Sequence, residues 1–237
     1  VIELLTKMGA QIRGEGTSVV EVEGVSELHG ARHRISSDYT EVGSFLALAA
    51  ATEGTLTVTD IAPWHYRMIT RQFQQLGIGL EIETDRITLQ TDQPRKIAPD
   101  PTGGIPVIDD GPWPHFPSDL MSVMIVLASQ TSGSVLFFEK MYESRMYFID
   151  RLIAMGAHAV ICDPHRAVVS GPARLHSIEL SSPDIRAGIA LLGAALCAEG
   201  KSIIHGVKQI DRGYADIEKK LQALGADVRR VTTHPGD

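Results

Sequence analysis

The chain has 237 residues, with 22 Lys and Arg against 29 Asp and Glu, a formal net charge of −7. With 43% hydrophobic and 22% charged residues it reads as globular, long enough for one large or two modest domains, and not as disordered or fibrous. A pI near 5.7 argues against a nucleic-acid partner held by counterion release, and the longest apolar runs, such as Met121 to Ala128, are far too short to span a bilayer.

In chain order, Val1 to Lys7 reads as a helix already under way, without the basic and apolar regions of a secretion signal. Starting there, without Met, predicts a piece of a longer chain. The string KMGAQI at Lys7–Ile12 recurs as QLGIGL from Gln75, AMGAHAV from Ala154 and ALGADV from Ala223. The last three follow apolar positions spaced three and four apart (Ile69, Phe73, Leu76; Ile149, Leu152, Met155; Ile217, Leu221, Leu224). That spacing predicts helices with one packed face. Each is expected to end at a glycine in the left-handed conformation. Alternating strand residues then begin, as in Ser18–Glu23 and Gly79–Glu83.

A second series of helices, almost wholly apolar, is predicted over about 39–52, 119–131 and 184–198. Asp38, Asp119 and Asp184 open them, and Gly54, Gly133 and Gly200 follow 14 to 16 residues later. Arg67, Arg145 and Arg212 stand 12 or 13 residues beyond those glycines, and the next helix-ending glycine comes after 23, 23 and 25 residues. Self-similarity at this period marks a repeated supersecondary unit. Here it is strand, buried helix, strand, amphipathic helix and two strands: an α/β (α+β) chain of three βαβαββ repeats. The expected units are 36–107, 108–175 and 176–231, with a tail at 232–237, and 1–35 as the helix and hairpin of another unit. Three units cover one another by packing their apolar helices centrally, with the sheets outside. The last unit ends without its closing strand. Its open edge is expected to recruit another, with Val1–Ile35 folding back there or pairing with a neighbouring molecule.

The plain reading of an Asp at a helix start is an N-cap. Asp119 sits in PHFPSDL, where Pro114 and Pro117 stiffen the approach and Ser118 is an alternative cap. Asp184 has Arg186 two residues on, a pairing at a helix start that suits an anion. Arg145 in YESRMY and Arg212 in QIDRGY stand out from surface ion pairs, Arg212 because Asp211 is beside it to orient a fork for carboxylate or phosphate. Arg67 lacks an acidic neighbour. Cys162 and Cys197 read as core residues, and the nine histidines form no HExxH string. No dinucleotide or P-loop string occurs, so neither metal nor cofactor is expected.

Within this frame the strings DYTEVGSF, PHFPSD, YESR, SPDIRAG and IDRGY, in that order, resemble the enolpyruvyl transferases from Val1 to about Val231. The resemblance implies an inverse αβ prism. The family builds two such prisms, closing over phosphoenolpyruvate and an acceptor, and this chain matches the second prism plus the last helix and hairpin of the first. The strings favour the branch that takes UDP-N-acetylglucosamine into peptidoglycan precursors, for cell-wall biogenesis and cell shape. On that likeness, Asp119 contacts the sugar 3-hydroxyl and moves protons, and Arg212 takes the phosphoenolpyruvate anion. Met141, with Lys140 beside it, lines the nucleotide-sugar site, while Arg145, Asp184 and Arg186 complete a polar wall. A cytoplasmic enzyme is implied, with small-molecule substrates and no nucleic acid or membrane.

Leu120-Met121 replaces a usual Met-Gln pair, and Tyr142 and Ser144 stand for Phe and Asn. The family's lysine–asparagine pair and loop cysteine (or aspartate), which belong to the first domain, have no counterpart here, so these residues alone are expected to be inactive. The alternatives are the shikimate-pathway branch and a non-catalytic repeat domain that binds a nucleotide or protein partner; an RNA-cyclase relative would show a histidine motif that this chain lacks.

Overall fold

The computed structural model describes residues 1–231 apart from Thr91 and Gln93, so the expected tail at 232–237 lies outside the described residues. Helix α1 (Ile2–Lys7) leads into a hairpin of β1 (Gln11–Arg13) and β2 (Glu21–Glu23). Next come α2 (Tyr39–Ala51), β3 (Thr57–Thr59), a 3-10 turn at Pro63–Tyr66, α3 (Arg67–Gln75), β4 (Leu80–Ile82) and β5 (Arg86–Leu89). Their strands form an antiparallel sheet ordered β3-β5-β4.

A second group holds β6 (Val107–Asp109), a 3-10 turn at Ser118–Leu120, α4 (Met121–Ser129), β7 (Gly133–Phe138), α5 (Ile149–Ala154), β8 (His158–Asp163) and β9 (Arg166–Gly171). Its sheet is ordered β6-β7-β9-β8, with only β6 and β7 parallel. The third group holds β10 (Glu179–Ser181), α6 (Ile185–Cys197), β11 (Ile203–His205), α7 (Lys208–Asp211) and α8 (Ile217–Ala223), with β10 and β11 parallel.

The three apolar helices pack against one another. All nine residues of α4 are buried, so it has no polar face to turn to water. Near the helix starts, Gly43 of α2 lies against Leu120, and the Ser122 hydroxyl donates to the Arg186 carbonyl at 3.0 Å. Near their ends, Gly193 of α6 lies against Leu48 and Val126. The helices therefore run in the same direction, and their N-terminal ends share one end of the bundle. The amphipathic α3 and α5 bury Ile69, Phe73, Ile149 and Leu152, and Gly77 and Gly156 take φ of +72° and +106° at their ends.

Two expectations are modified. Only the middle unit shows all four strands of a βαβαββ repeat; among the described residues no strand lies between β2 and α2 and none follows α8. The chain after α8 is instead tied down by Arg230, whose guanidinium binds Asp211 at 2.6 and 2.8 Å and Glu218 at 2.8 Å. The Val1–Ile35 segment does not extend the last sheet: its hairpin pairs with itself, and Arg34 pairs with Asp60 in the first group. Arg13, Glu21 and Glu23 charge this short hairpin, which opposes further strand addition. Cys162 is exposed, because it points outward from the alternating β8; Cys197 is half-buried, and burial pushes its thiol up to about 12.

Gly171 closes β9 beneath the end of α4, where a Cβ would meet the Thr131, Ala128 and Ser129 carbonyl oxygens at 2.5, 2.6 and 2.8 Å. Backbone cannot swing aside as a side chain does. Gly171→Ala is expected to destabilise the chain by about 2 kcal/mol or more, measured by urea unfolding; a change below about 0.5 kcal/mol would show that the sheet and α4 are not locked there.

Candidate active site

The three helix-opening aspartates have separate fates. Asp38 caps α2, accepting from the Thr40 and Glu41 N–H groups at 2.8 and 3.4 Å. Asp184 caps α6, accepting from the Arg186 and Ala187 N–H groups at 2.8 and 3.0 Å. Asp119 caps nothing. It sits within the 3-10 turn that leads into α4, and neither it nor Ser118 caps that turn or that helix. Its Oδ1 accepts instead from the guanidinium of Arg145, 3.5 Å away, and from Nε of Arg186. Oδ2 has no partner among the described residues.

Three separate stretches of chain meet at this carboxylate. Arg145 comes from the loop after β7 and Arg186 from the first turn of α6. Asp119 holds Arg186 firmly cationic, chiefly through their hydrogen bond. Arg145 also donates to the Ser118 hydroxyl and lies 3.6 Å from the centre of the Tyr142 ring. Ser144, one residue before, has a φ of +67°, a conformation that asparagine tolerates better than most residues. This is where the resembled family more usually has Asn. Ser118, Met121, Ser122, Arg145, Asp184 and Arg186 help to line a hollow of about 240 Å³.

Among the residues that line it is one that the sequence reading passed over. Glu139, at the end of β7, is 1% exposed and accepts from Ser118 at 3.1 Å and from the Met141 and Tyr142 N–H groups, each at 3.2 Å. Burial, then the neighbouring Asp110, pushes its carboxyl up to about 8. The only hint was two acids ending neighbouring strand-like runs, IDD and FEK, and sequence alone does not say that the runs adjoin.

The remaining expected residues stand apart. Met141 is 40% exposed and does not line the hollow. Lys140 pairs with Asp109. Arg212 is exposed, and its one hydrogen bond among the described residues is to Gln209 at 3.3 Å. Asp211 does not orient it, because Arg230 occupies that carboxylate. Tyr214, two residues on, points inward and bonds Ser44 of α2 at 2.8 Å; burial pushes its hydroxyl up to about 12. A second hollow, bounded by Glu3, Glu15, Gly16 and Trp64, gathers no arginine. His29 and His33 are four residues apart but lie outside any helix or strand, and among the described residues no three His, Cys, Asp or Glu side chains are grouped to hold a metal. No helix among those residues is long and apolar enough to cross a membrane.

Comparison with known proteins gives a consistent picture. Residues 1–221 match the family model described as EPSP synthase (3-phosphoshikimate 1-carboxyvinyltransferase). A UDP-N-acetylglucosamine 1-carboxyvinyltransferase of Treponema denticola is 50% identical over 226 residues, which are 95% of this chain and 53% of that protein. One from Bradyrhizobium diazoefficiens is 49% identical over 96% of this chain and 53% of its own length. Among solved structures, the enolpyruvyl transferase NikO from Streptomyces tendae superposes with a TM-score of 0.81 at 23% identity, covering 96% of this chain and 53% of its own. EPSP synthase from Acinetobacter baumannii does so at 0.74 and 17% identity, covering 98% and 55%. The chain spans about half the length of the curated relatives it matches.

If Asp184 serves α6 chiefly as its cap, Asp184→Ala will cost about 1 kcal/mol of stability and Asp184→Asn much less. Thermal unfolding of the two variants measures this; equal losses would mean that the carboxylate charge matters more than the cap.

Proposed function

We propose that the chain, a member of the EPSP synthase family of enolpyruvyl transferases, forms the C-terminal half of a transferase that moves enolpyruvate from phosphoenolpyruvate to the 3-hydroxyl of UDP-N-acetylglucosamine. Relatives bearing that activity in their names are about 50% identical over nearly all of this chain. The shikimate reading has the family model's description behind it, while the relatives named above carry the other activity in their names. In this reading the chain works in cytoplasmic peptidoglycan synthesis with a companion domain of similar length as its partner, and needs no cofactor.

One observation carries the chemistry: a carboxylate held on one oxygen by two arginines from different units, with its other oxygen unpartnered among the described residues. Addition needs a base at the sugar hydroxyl and a proton delivered to the methylene carbon of phosphoenolpyruvate; elimination of phosphate reverses that traffic. Asp119 Oδ2 takes the hydroxyl proton. Arg145 and Arg186 hold Asp119 in place and supply positive charge where carboxylate, phosphate and the developing negative charge sit. Asp184 fixes the turn that carries Arg186, and Met141 offers an exposed apolar side chain to the nucleotide sugar. Arg212, exposed and bound among the described residues only to Gln209, swings onto the phosphoenolpyruvate anion when the cleft closes.

The test is a chimera joining this chain to the first half of the Treponema denticola relative. Asp119→Asn is expected to lower turnover by about 10²-fold or more and to leave UDP-N-acetylglucosamine affinity within a few-fold, because the amide keeps the shape but takes no proton. Arg212→Lys is expected to raise KM for phosphoenolpyruvate, since an ammonium does not reproduce the bidentate fork. The chain without a companion is expected to show no transfer. Full activity of the Asp119→Asn chimera, or transfer by the chain alone, would overturn the assignment.

A further inference from the structure

Asp110 and Glu139 are each 1% exposed and belong to the ends of neighbouring parallel strands. β6 pairs with β7 in the register Asp109 to Phe138, so the next residue on each strand is Asp110 and Glu139. The Asp110 N–H still reaches the Phe138 carbonyl at 3.4 Å, and the two carboxyls lie side by side in the interior.

Their hydrogen bonds are uneven in a telling way. Asp110 Oδ1 accepts the Lys140 N–H at 2.5 Å. Glu139 Oε1 accepts the Met141 and Tyr142 N–H groups and shares the Ser118 hydroxyl with Oε2. Asp110 Oδ2, fully buried, has no donor among the described residues. A buried oxygen without a donor is costly, and the group beside it is another carboxyl. One proton between Oδ2 of Asp110 and Oε2 of Glu139 satisfies both. Two protons would waste the N–H bonds that favour a charged carboxylate, and none would leave two like charges buried together.

The other groups facing this pair connect it to the cluster in front. The His165 ring bonds the Glu139 carbonyl at 2.7 Å, and the Lys140 ammonium is taken by Asp109. Besides Asp110, Arg145 brings charge to the carboxyl itself, and it does so beside Ser118, the residue to which it donates a hydrogen bond. The Ser118 hydroxyl donates backward to Glu139, which leaves its lone pairs forward for Arg145, and Arg145 binds Asp119.

We propose that Asp110 and Glu139 hold a single shared proton and thereby act as positioning residues, setting Arg145 on Asp119 through the Ser118 hydroxyl. Glu139 touches no substrate in this scheme. Loss of the shared proton makes Glu139 a full anion, which competes with Asp119 for Arg145. The functional weight of this relay rests on the reading of Asp119 and its arginines given above; the shared proton does not.

The sign of the pH dependence follows. The Glu139 value of about 8 lies above its ordinary 4.5, so the folded chain binds a proton that the unfolded chain has released. The pair's contribution to stability is complete below about pH 4.5 and is lost as pH rises through about 8.

The experiment is an NMR titration of the 237-residue chain, without ligand, carrying ¹³C at the glutamate carboxyls and ¹⁵N at the arginines. One glutamate carboxyl, missing in Glu139→Gln, is expected to titrate near pH 8. In Asp110→Asn its midpoint should fall by about one pH unit or more, because an amide donor replaces a like charge. The Nε resonance of Arg145, identified with Arg145→Lys, should shift with the same midpoint as Glu139. Titration of Glu139 in the ordinary carboxylate range would overturn the shared proton. An Arg145 resonance unmoved across that midpoint would overturn the positioning role. Either variant identifies the Glu139 signal if the other fails to fold. Because no substrate is present, these outcomes are separate from success or failure of enolpyruvyl transfer in the chimera.

Discussion

A helix buried on every side dictates the rest of this structure. All nine residues of α4 are out of water, and each large apolar side chain among them contributes about 1.5–3 kcal/mol on burial. No single sheet covers such a helix. It is enclosed by α2 and α6, which are themselves largely buried, and by β7 and β9 of its own unit. The small residues at the contacts, Gly43 against Leu120 and Gly193 against Leu48 and Val126, let the axes approach closely.

The same packing gathers the chemistry. Three parallel helices bring their starts to one end, and helix starts carry unpaired N–H groups and partial positive charge. Asp38 and Asp184 satisfy two of these ends. At α4 the 3-10 turn over Ser118–Leu120 releases Asp119 from that duty, and its carboxylate becomes the hub for Arg145 and Arg186. A carboxylate engaged on one oxygen and open on the other suits proton transfer better than a cap that already accepts two N–H bonds. Behind it, β6 and β7 end in two adjoining buried acids, an arrangement whose electrostatic cost is relieved by a proton and by the Ser118 and backbone N–H groups around Glu139.

Much was legible in the sequence because it depended on local physics. The helices over 39–51, 121–129 and 185–197, the left-handed glycines at Gly77 and Gly156 and the caps at Asp38 and Asp184 follow from apolar spacing, backbone sterics and the needs of helix ends. The repeat was visible because each unit meets the same local requirements. The quoted strings also pointed to the enolpyruvyl transferases, the family to which the chain belongs.

Tertiary structure decided what depends on which distant residues meet. Local sequence allowed all three aspartates the same plain reading as caps, and the arrival of Arg145 from the loop after β7 and of Arg186 from the third unit separates Asp119 from the rest. Arg212 looked oriented by its neighbour Asp211, yet Arg230, 19 residues beyond that acid, takes it. Glu139 and Asp110 lie 29 residues apart in the chain and become a pair only through the β6–β7 register. Apolar periodicity reports which face of an element is buried, since that face repeats within a few residues. It carries no record of the register between elements, and side-chain hydrogen bonds and charge pairing, which act over a few ångströms, are set by that register.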